Sequence, residues 1–435
     1  MSSSNTRTLR AQAVRPSRGQ PNAPQTLRGP QRERHEPDYV LLLSIAALTA
    51  LGLLMVYSSS GVKSLLTQDD PFARVGPQAF WAIAGGLLMV VLMRIDYRYL
   101  RLVSVPAFLG ALVLLVLVLL PEIGPIKPQV INGSARWLEI GPLPQMHPAE
   151  IAKLALVVYL AHWLTRRGTK AGSLLHGLLP FLLIVGPLLT LVLLEPDLGT
   201  TGILTLTAFT MFFVAGGSLW QLALIVPAGV GAVAWLVMNS DYQMARVHAF
   251  LDPWADPQGI GFHTVQGLLA IGMGGPLGIG LGEGGQPGAL TLPQAENDFV
   301  FALVAHELGF VGGLALIGLY LLLAYRGLRI ALGSPDTFGA LLATGITAWL
   351  TLQAFINIGV VLVLVPITGI TLPFVSAGGS SLLVSFAAVG ILLSISRETL
   401  PRGTWNDADP DRRRWHRRSR VSGAGSRSVP ARAGA

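Results

Sequence analysis

Ten apolar runs, parted by polar breaks, dominate the chain: roughly 38–57, 78–93, 102–120, 149–164, 174–194, 198–215, 219–238, 299–323, 338–364 and 380–396. Each is about 17–27 residues long, against the ~20 that a helix needs to cross the hydrocarbon core. The pattern predicts an all-α polytopic membrane protein of about ten transmembrane helices, with a large loop between helices 7 and 8. That loop, about 239–297, is rich in Gly and Pro yet still apolar at Phe262, Leu268, Leu269, Ile271 and Met273. A structureless loop of this length is rare in a compact protein, so short helices lying in the membrane interface are expected there. No internal repeat is visible, which gives little support to a transporter built on inverted repeats.

Composition agrees with the pattern. Hydrophobic residues make up 51% of the 435 positions and charged residues 12%, with mean hydropathy +0.57. Those values exclude an ordinary soluble domain. There is no Cys, so disulfide and thiol chemistry are excluded. The net charge of +8 resembles a nucleic-acid signal, but the basic residues lie in the tails and in alternate loops, and no nucleic-acid partner is expected.

The placement of those basic residues sets the orientation. With the N-terminus inside, ten spans return the C-terminus to the cytoplasm, and 25 of the 31 Lys and Arg residues then fall on the inner side. This satisfies the positive-inside rule and makes the 239–297 loop extracytoplasmic. Residues 1–37, with seven Arg, and 398–435 read as basic, disordered cytoplasmic tails flanking a membrane domain at 38–397. No cleavable signal peptide is expected, because the basic region is long and no small-residue cleavage site follows the first apolar run. The run Arg412–Arg418 is either a solvated charge cluster or a contact for anionic lipid.

Polar clusters gather on the predicted outer side. Asn132–Leu138 contains Arg136 and leads to His147–Lys153, where Glu150 and Lys153 are spaced to pair on one helix face. Glu195-Pro196-Asp197 interrupts the chain between helices 5 and 6; Asp197 can cap the next helix, or the two acids can hold a cation. The large loop carries Arg246 and His248, and a guanidinium there can hold a phosphate by its fork of donors. The segment 366–381 is irregular and apolar, so it must be buried or line a cavity, and its Gly-Gly-Ser-Ser end offers Ser380 and Ser381 to a phosphate.

The most informative stretch is Leu292–Phe299, where Glu296 and Asp298 meet the start of an apolar helix. A charge at the bilayer centre costs roughly 3 kcal/mol or more, so acids at a membrane border point to function. The competing reading is a helix start capped by Asn297 or Asp298. His306 is about 12 Å along the helix from Asp298, too far to share a metal, and reads as a buried, satisfied histidine.

Together these segments resemble the SEDS family of shape, elongation, division and sporulation proteins (FtsW, RodA and SpoVE). The resemblance covers roughly 38–397 and rests on Asn132–Leu138, His147–Lys153, Glu195–Thr201, Phe250–Pro257, Leu292–Gly309 and Asn357–Leu383. It implies a peptidoglycan glycosyltransferase of the FtsW type that polymerises lipid II at the outer face of the cytoplasmic membrane during cell division. Undecaprenyl-pyrophosphate would leave, and a class B penicillin-binding protein and other divisome proteins would be partners. The family's essential Asp falls on Asp298, making it the candidate general base. The chemistry suits one carboxylate: the acceptor 4-hydroxyl needs a base, while a pyrophosphate leaves without a strong acid. Arg136 and Arg246, alone or with Mg²⁺ or Mn²⁺, are the candidate clamps, with Glu150, Lys153, Glu195, Asp197, Ser380 and Ser381 as further substrate-binding candidates. Glu296 and Asp298 are the candidate metal ligands, and no organic cofactor is implied.

The chain departs from the family pattern in places. A usual Gln-Lys pair reads Gln286-Pro287. The motif's Glu, His and Thr read Gln294, Glu296 and Asn297. Glu-Glu-Leu-Gly reads His306–Gly309, and Gln-Pro-Ser-Glu reads His147–Glu150. Three other readings compete: an elongation polymerase of the RodA type, a lipid II flippase or transporter, and a non-catalytic scaffold. A flippase calls for charges along a path through the bilayer, whereas the acids here cluster at one face.

Overall fold

The computed structural model describes residues 35–68, 72–122, 124–131, 134–141, 144–282 and 296–398. Both predicted tails therefore lie almost wholly outside the described residues, as do Asn132, Gly133, Gln286, Pro287 and Leu292–Ala295. A helix stands at each of the ten predicted places: α1 (Tyr39–Gln68), α2 (Val75–Arg94), α3 (Leu100–Leu119), α4 (Pro148–Arg167), α5 (Leu179–Leu194), α6 (Leu198–Val214), α7 (Leu219–Met238), α11 (Gly309–Gly333), α12 (Thr337–Val361) and α13 (Gly379–Ser396). Among the described residues, seven are long and apolar enough to cross a membrane; α4, α6 and α7 fall short of that standard taken singly.

Three short helices fill the space between α7 and α11. Of these, α8 (Asp241–Leu251) and α9 (Phe262–Gly274) lie in the predicted loop. The third, α10 (Val300–Glu307), corrects the sequence reading, which made 299–323 one helix. Gly309 breaks it with φ +69°, a left-handed value that suits glycine at a helix end. The break leaves carbonyls free for segment 275–282: Ile279 N–H donates to His306 O (3.1 Å) and Gly280 N–H to Glu307 O (3.2 Å). A Cβ on Gly309 would lie 2.3 Å from the backbone nitrogen of Gly278, so the two strands meet only because both are glycine.

The segment after α3 also differs from expectation. The polar pattern predicts a loop there, and the chain forms an antiparallel hairpin, β1 (Ile126–Ile131) and β2 (Ser134–Ile140). Asn132-Gly133 between two partly apolar runs is the sequence signal that marks such a turn. Leu138 is fully buried and exchanges two backbone hydrogen bonds with Met146, which ties β2 to the start of α4.

The core is apolar and runs through α4, α6, α12 and α13. Charges collect where α2, α11 and α13 end and α1 and α12 begin. Arg326 pairs with Asp38 at 2.5 Å, Arg98 and Arg101 both reach Asp336 (3.2 and 2.8 Å), and Arg98 also reaches Glu398 at 3.0 Å. The opposite end, where α4, α6 and α13 begin, holds the site.

Candidate active site

A cavity of about 390 Å³ opens at that end. It lies in the size range of small-molecule sites. Seven of the predicted residues line it: Arg136, Glu150, Asp197, Arg246, Asp298, Ser380 and Ser381. They come from β2, the starts of α4, α6 and α13, α8, and the turn before α10, so only the folded chain brings them together.

Asp298 is half-buried in that turn. It does not cap α10, whose N-cap is Phe299 with no side-chain cap, so the capping alternative is set aside. Its backbone is fixed from below: Asn357 Nδ2 on α12 donates to the carbonyls of Asp298 (2.9 Å) and Ile370 (2.7 Å). Burial holds the Asp298 carboxyl above the usual range for aspartate. Its own backbone N–H and the charges of His263 and Arg246 oppose that rise.

The two arginines are held by neutral groups. Arg136 donates to the carbonyls of Glu195 (3.1 Å) and Pro196 (2.7 Å). Arg246 donates to Ile367 O (3.3 Å) and to the hydroxyl of Tyr242, whose ring lies 4.5 Å below the guanidinium carbon. Among the described residues neither arginine has a carboxylate within ion-pairing distance, so both keep their charge available to an anion.

The acids divide into three kinds. Asp197 caps α6, accepting from Thr200 N–H at 3.0 Å and Thr200 Oγ1 at 2.8 Å, as the capping alternative required. Glu150 pairs with Lys153 at 2.8 Å. Lys153 itself lies beneath the cavity, 1% exposed, and also donates to Gln353 Oε1 at 2.7 Å. Gln353 in turn accepts from Trp349 and donates to Thr371 O, so the network joins α4, α12 and the segment below Ser381. Glu195 does not line the cavity; it is fully buried at the end of α5, where burial and Asp197 push its carboxyl up to about 8 against the pull of Arg136.

Glu296 is elsewhere. It bonds Arg74 at 2.6 Å and lines a separate cavity of about 320 Å³ beside α2. Glu296 and Asp298 thus do not converge on one ion. Among the described residues no group of three or more His, Asp or Glu side chains could hold a metal. The donor set among the described residues does not form a protein-built Mg²⁺ or Mn²⁺ site.

Sequence reasoning missed His147, Trp137 and Tyr242 in the lining, and the supports Asn357 and Gln353. His147 has its Nε2 4.0 Å from Asp197 Oδ2 and its ring edge-on to Trp137; burial holds it below the usual histidine range. His306 is buried as expected, and among the described residues neither ring nitrogen has a hydrogen-bond partner.

The fold and site are those of a multi-pass membrane protein with a polar, anion-ready cavity at one end. Residues 39–400 match the cell cycle protein family model of FtsW, RodA and SpoVE, and the chain belongs to that family. It is 41% identical over 373 residues to a probable peptidoglycan glycosyltransferase FtsW of Geobacter metallireducens, covering 86% of this chain and 97% of the relative. It is 39% identical to stage V sporulation protein E of Bacillus subtilis, covering 84% and 98%. A chain from a solved peptidoglycan synthase complex, described as coordinating polymerization and crosslinking, superposes with TM-score 0.67 at 33% identity, covering 83% of this chain and 98% of that one.

Proposed function

We propose that this protein is a peptidoglycan glycosyltransferase that polymerises lipid II, with Asp298 as general base. One observation carries the reading: Asp298 lines the same cavity as two guanidinium groups that, among the described residues, form no ion pair. Asp298 takes the proton of the acceptor 4-hydroxyl, whose oxygen forms the new bond to the donor's C1. The C1–O bond to the lipid pyrophosphate breaks, and its electron pair leaves with the pyrophosphate. Arg136 and Arg246 stabilise that charge in a partly water-excluded site, and Ser380 and Ser381 supply further donors. The raised Asp298 carboxyl makes it a better proton acceptor than an ordinary aspartate once ionised.

The positive-inside distribution supports an outer-face site with both termini in the cytoplasm. The likeness to proteins named FtsW supports a division role, and the likeness to a chain of a synthase complex that coordinates polymerization and crosslinking supports work beside a crosslinking partner, a class B penicillin-binding protein. Purified with that partner and given lipid II, the wild type should make glycan polymer. Asp298→Ala should make none while remaining folded. Wild-type polymer from the variant removes Asp298 from the mechanism, and lipid scrambling without polymer replaces the enzyme with a transporter. A fluorescent fusion should sit at midcell; side-wall placement would favour elongation.

A further inference from the structure

The second cavity has no part in the mechanism above. It is lined by Val56 of α1, Arg74, Gln78 and Trp81 at the start of α2, Glu296, and Gly379 of α13. Asn297 and Ala377 belong to the linings of both cavities, so the two spaces adjoin along these residues. Gln78 fixes that wall, donating to Ser376 O (3.1 Å) and accepting from Gly378 N–H (3.2 Å).

The two cavities differ in charge. In the first, among the described residues, Arg136 and Arg246 bond carbonyls and a hydroxyl. In the second, Arg74 is paired with Glu296 at 2.6 Å, so its cation is already neutralised. A pyrophosphate is drawn to the first, and an uncharged ligand suits the second. Its surface suits a sugar: an indole offers a flat apolar face to the C–H face of a pyranose, and Asn297 and the ion pair offer polar atoms at the edge. Gly379 lets the indole pack closely on the start of α13, since a Cβ there would lie 2.5 Å from Trp81 Nε1, and this contact fixes the ring at the cavity edge.

We infer that this second cavity is a saccharide subsite that holds the acceptor sugar, with Trp81 as its platform and the Arg74–Glu296 pair at its edge. The inference rests on the glycosyl-transfer reading. Two residues of chain span at most about 7 Å, so a sugar held beside Glu296 lies within one saccharide length of Asp298. Donor and acceptor then approach the base from opposite sides of one turn.

The test uses full-length protein in nanodiscs, with N,N′-diacetylchitobiose and inorganic pyrophosphate as probes in separate titrations. Trp81→Ala should weaken disaccharide binding about tenfold and leave pyrophosphate affinity unchanged. Trp81→Phe should restore most of the loss, which a folding defect would not allow, and Arg246→Ala should show the reverse selectivity. Disaccharide affinity independent of Trp81, or no disaccharide binding by the wild type, overturns the subsite. Polymerisation of lipid II by the same variants, purified with the partner, separates the two ideas. Polymer without Trp81-dependent binding removes the subsite alone, whereas Trp81-dependent binding without polymer removes the polymerase reading.

Discussion

Asn357 on α12 holds Asp298 by its main chain rather than by its carboxylate, bonding the Asp298 carbonyl at 2.9 Å and that of Ile370 at 2.7 Å. The carboxylate stays available to substrate while the backbone beneath it is fixed. Asn357→Ala leaves two carbonyls without this donor and should cost about 1–3 kcal/mol of stability. The polymerisation rate should fall more than substrate affinity, because a misplaced base affects the chemical step. Steady-state kinetics of the purified variant, with its melting temperature, check both.

The acid limb of the rate profile should lie at higher pH than an ordinary aspartate would give. Burial raises the Asp298 carboxyl, and only its ionised form can accept the proton, so activity rises as pH rises through that shifted value. Arg246 lowers the same group, so Arg246→Gln should push the limb to still higher pH as well as slowing the reaction. A limb that stays in place in Arg246→Gln would show that another group controls it.

Replacing Arg246 by Lys should not restore function. The guanidinium uses its fork on Ile367 O and the Tyr242 hydroxyl while lying over the Tyr242 ring, and an ammonium reproduces neither arrangement. A loss of about 10²–10³ in kcat is expected if the group meets the departing pyrophosphate. Single-turnover rates with wild-type and Lys variants decide it.

Glu195 should be protonated at neutral pH, since its carboxyl is pushed up to about 8. A group raised in the folded state binds its proton more tightly there than in the unfolded chain. Its contribution to stability is complete below its usual value near 4.5 and is lost as pH rises to about 8. Glu195→Gln imitates the neutral acid, so it should leave activity at pH 7 unchanged and flatten the fall in melting temperature between pH 5 and about 8. Thermal unfolding across that range is the measurement.

Removing Lys153 alone should be severe. Lys153→Met leaves Glu150 and Gln353 facing a buried gap and should cost about 3–5 kcal/mol, while adding Glu150→Gln should recover much of it. A double-mutant cycle on unfolding in mixed micelles tests the coupling.

The sequence was legible where a single physical rule dominated. Hydrophobic length alone located ten helices, and the i, i+3 spacing of Glu150 and Lys153 anticipated their contact. It was less legible where backbone decided the outcome. Gly309 follows the His306-Glu307 pair inside an otherwise apolar run, and two polar residues in a run of that length do not by themselves mark the break before α11. The Glu296–Asp298 turn shows the same limit: two acids two residues apart read as one cluster, yet the turn sends them to different cavities. Asn357 and Gln353 sit in the last turns of α12, and only the packing of α12 under the site shows what they support.

The buried Lys153 also bears on how the protein is made. Its partner Gln353 lies 200 residues further along the chain, so at ~5–20 residues per second the ribosome needs about 10–40 s to supply it. Through that interval α4 must sit in or near the membrane with an ammonium group and no Gln353. Glu150, one turn away on the same helix, is the partner already present, and the two charges can enter together as a neutral unit. The pair beneath the cavity is thus also a travelling counter-ion, chosen by the order of synthesis.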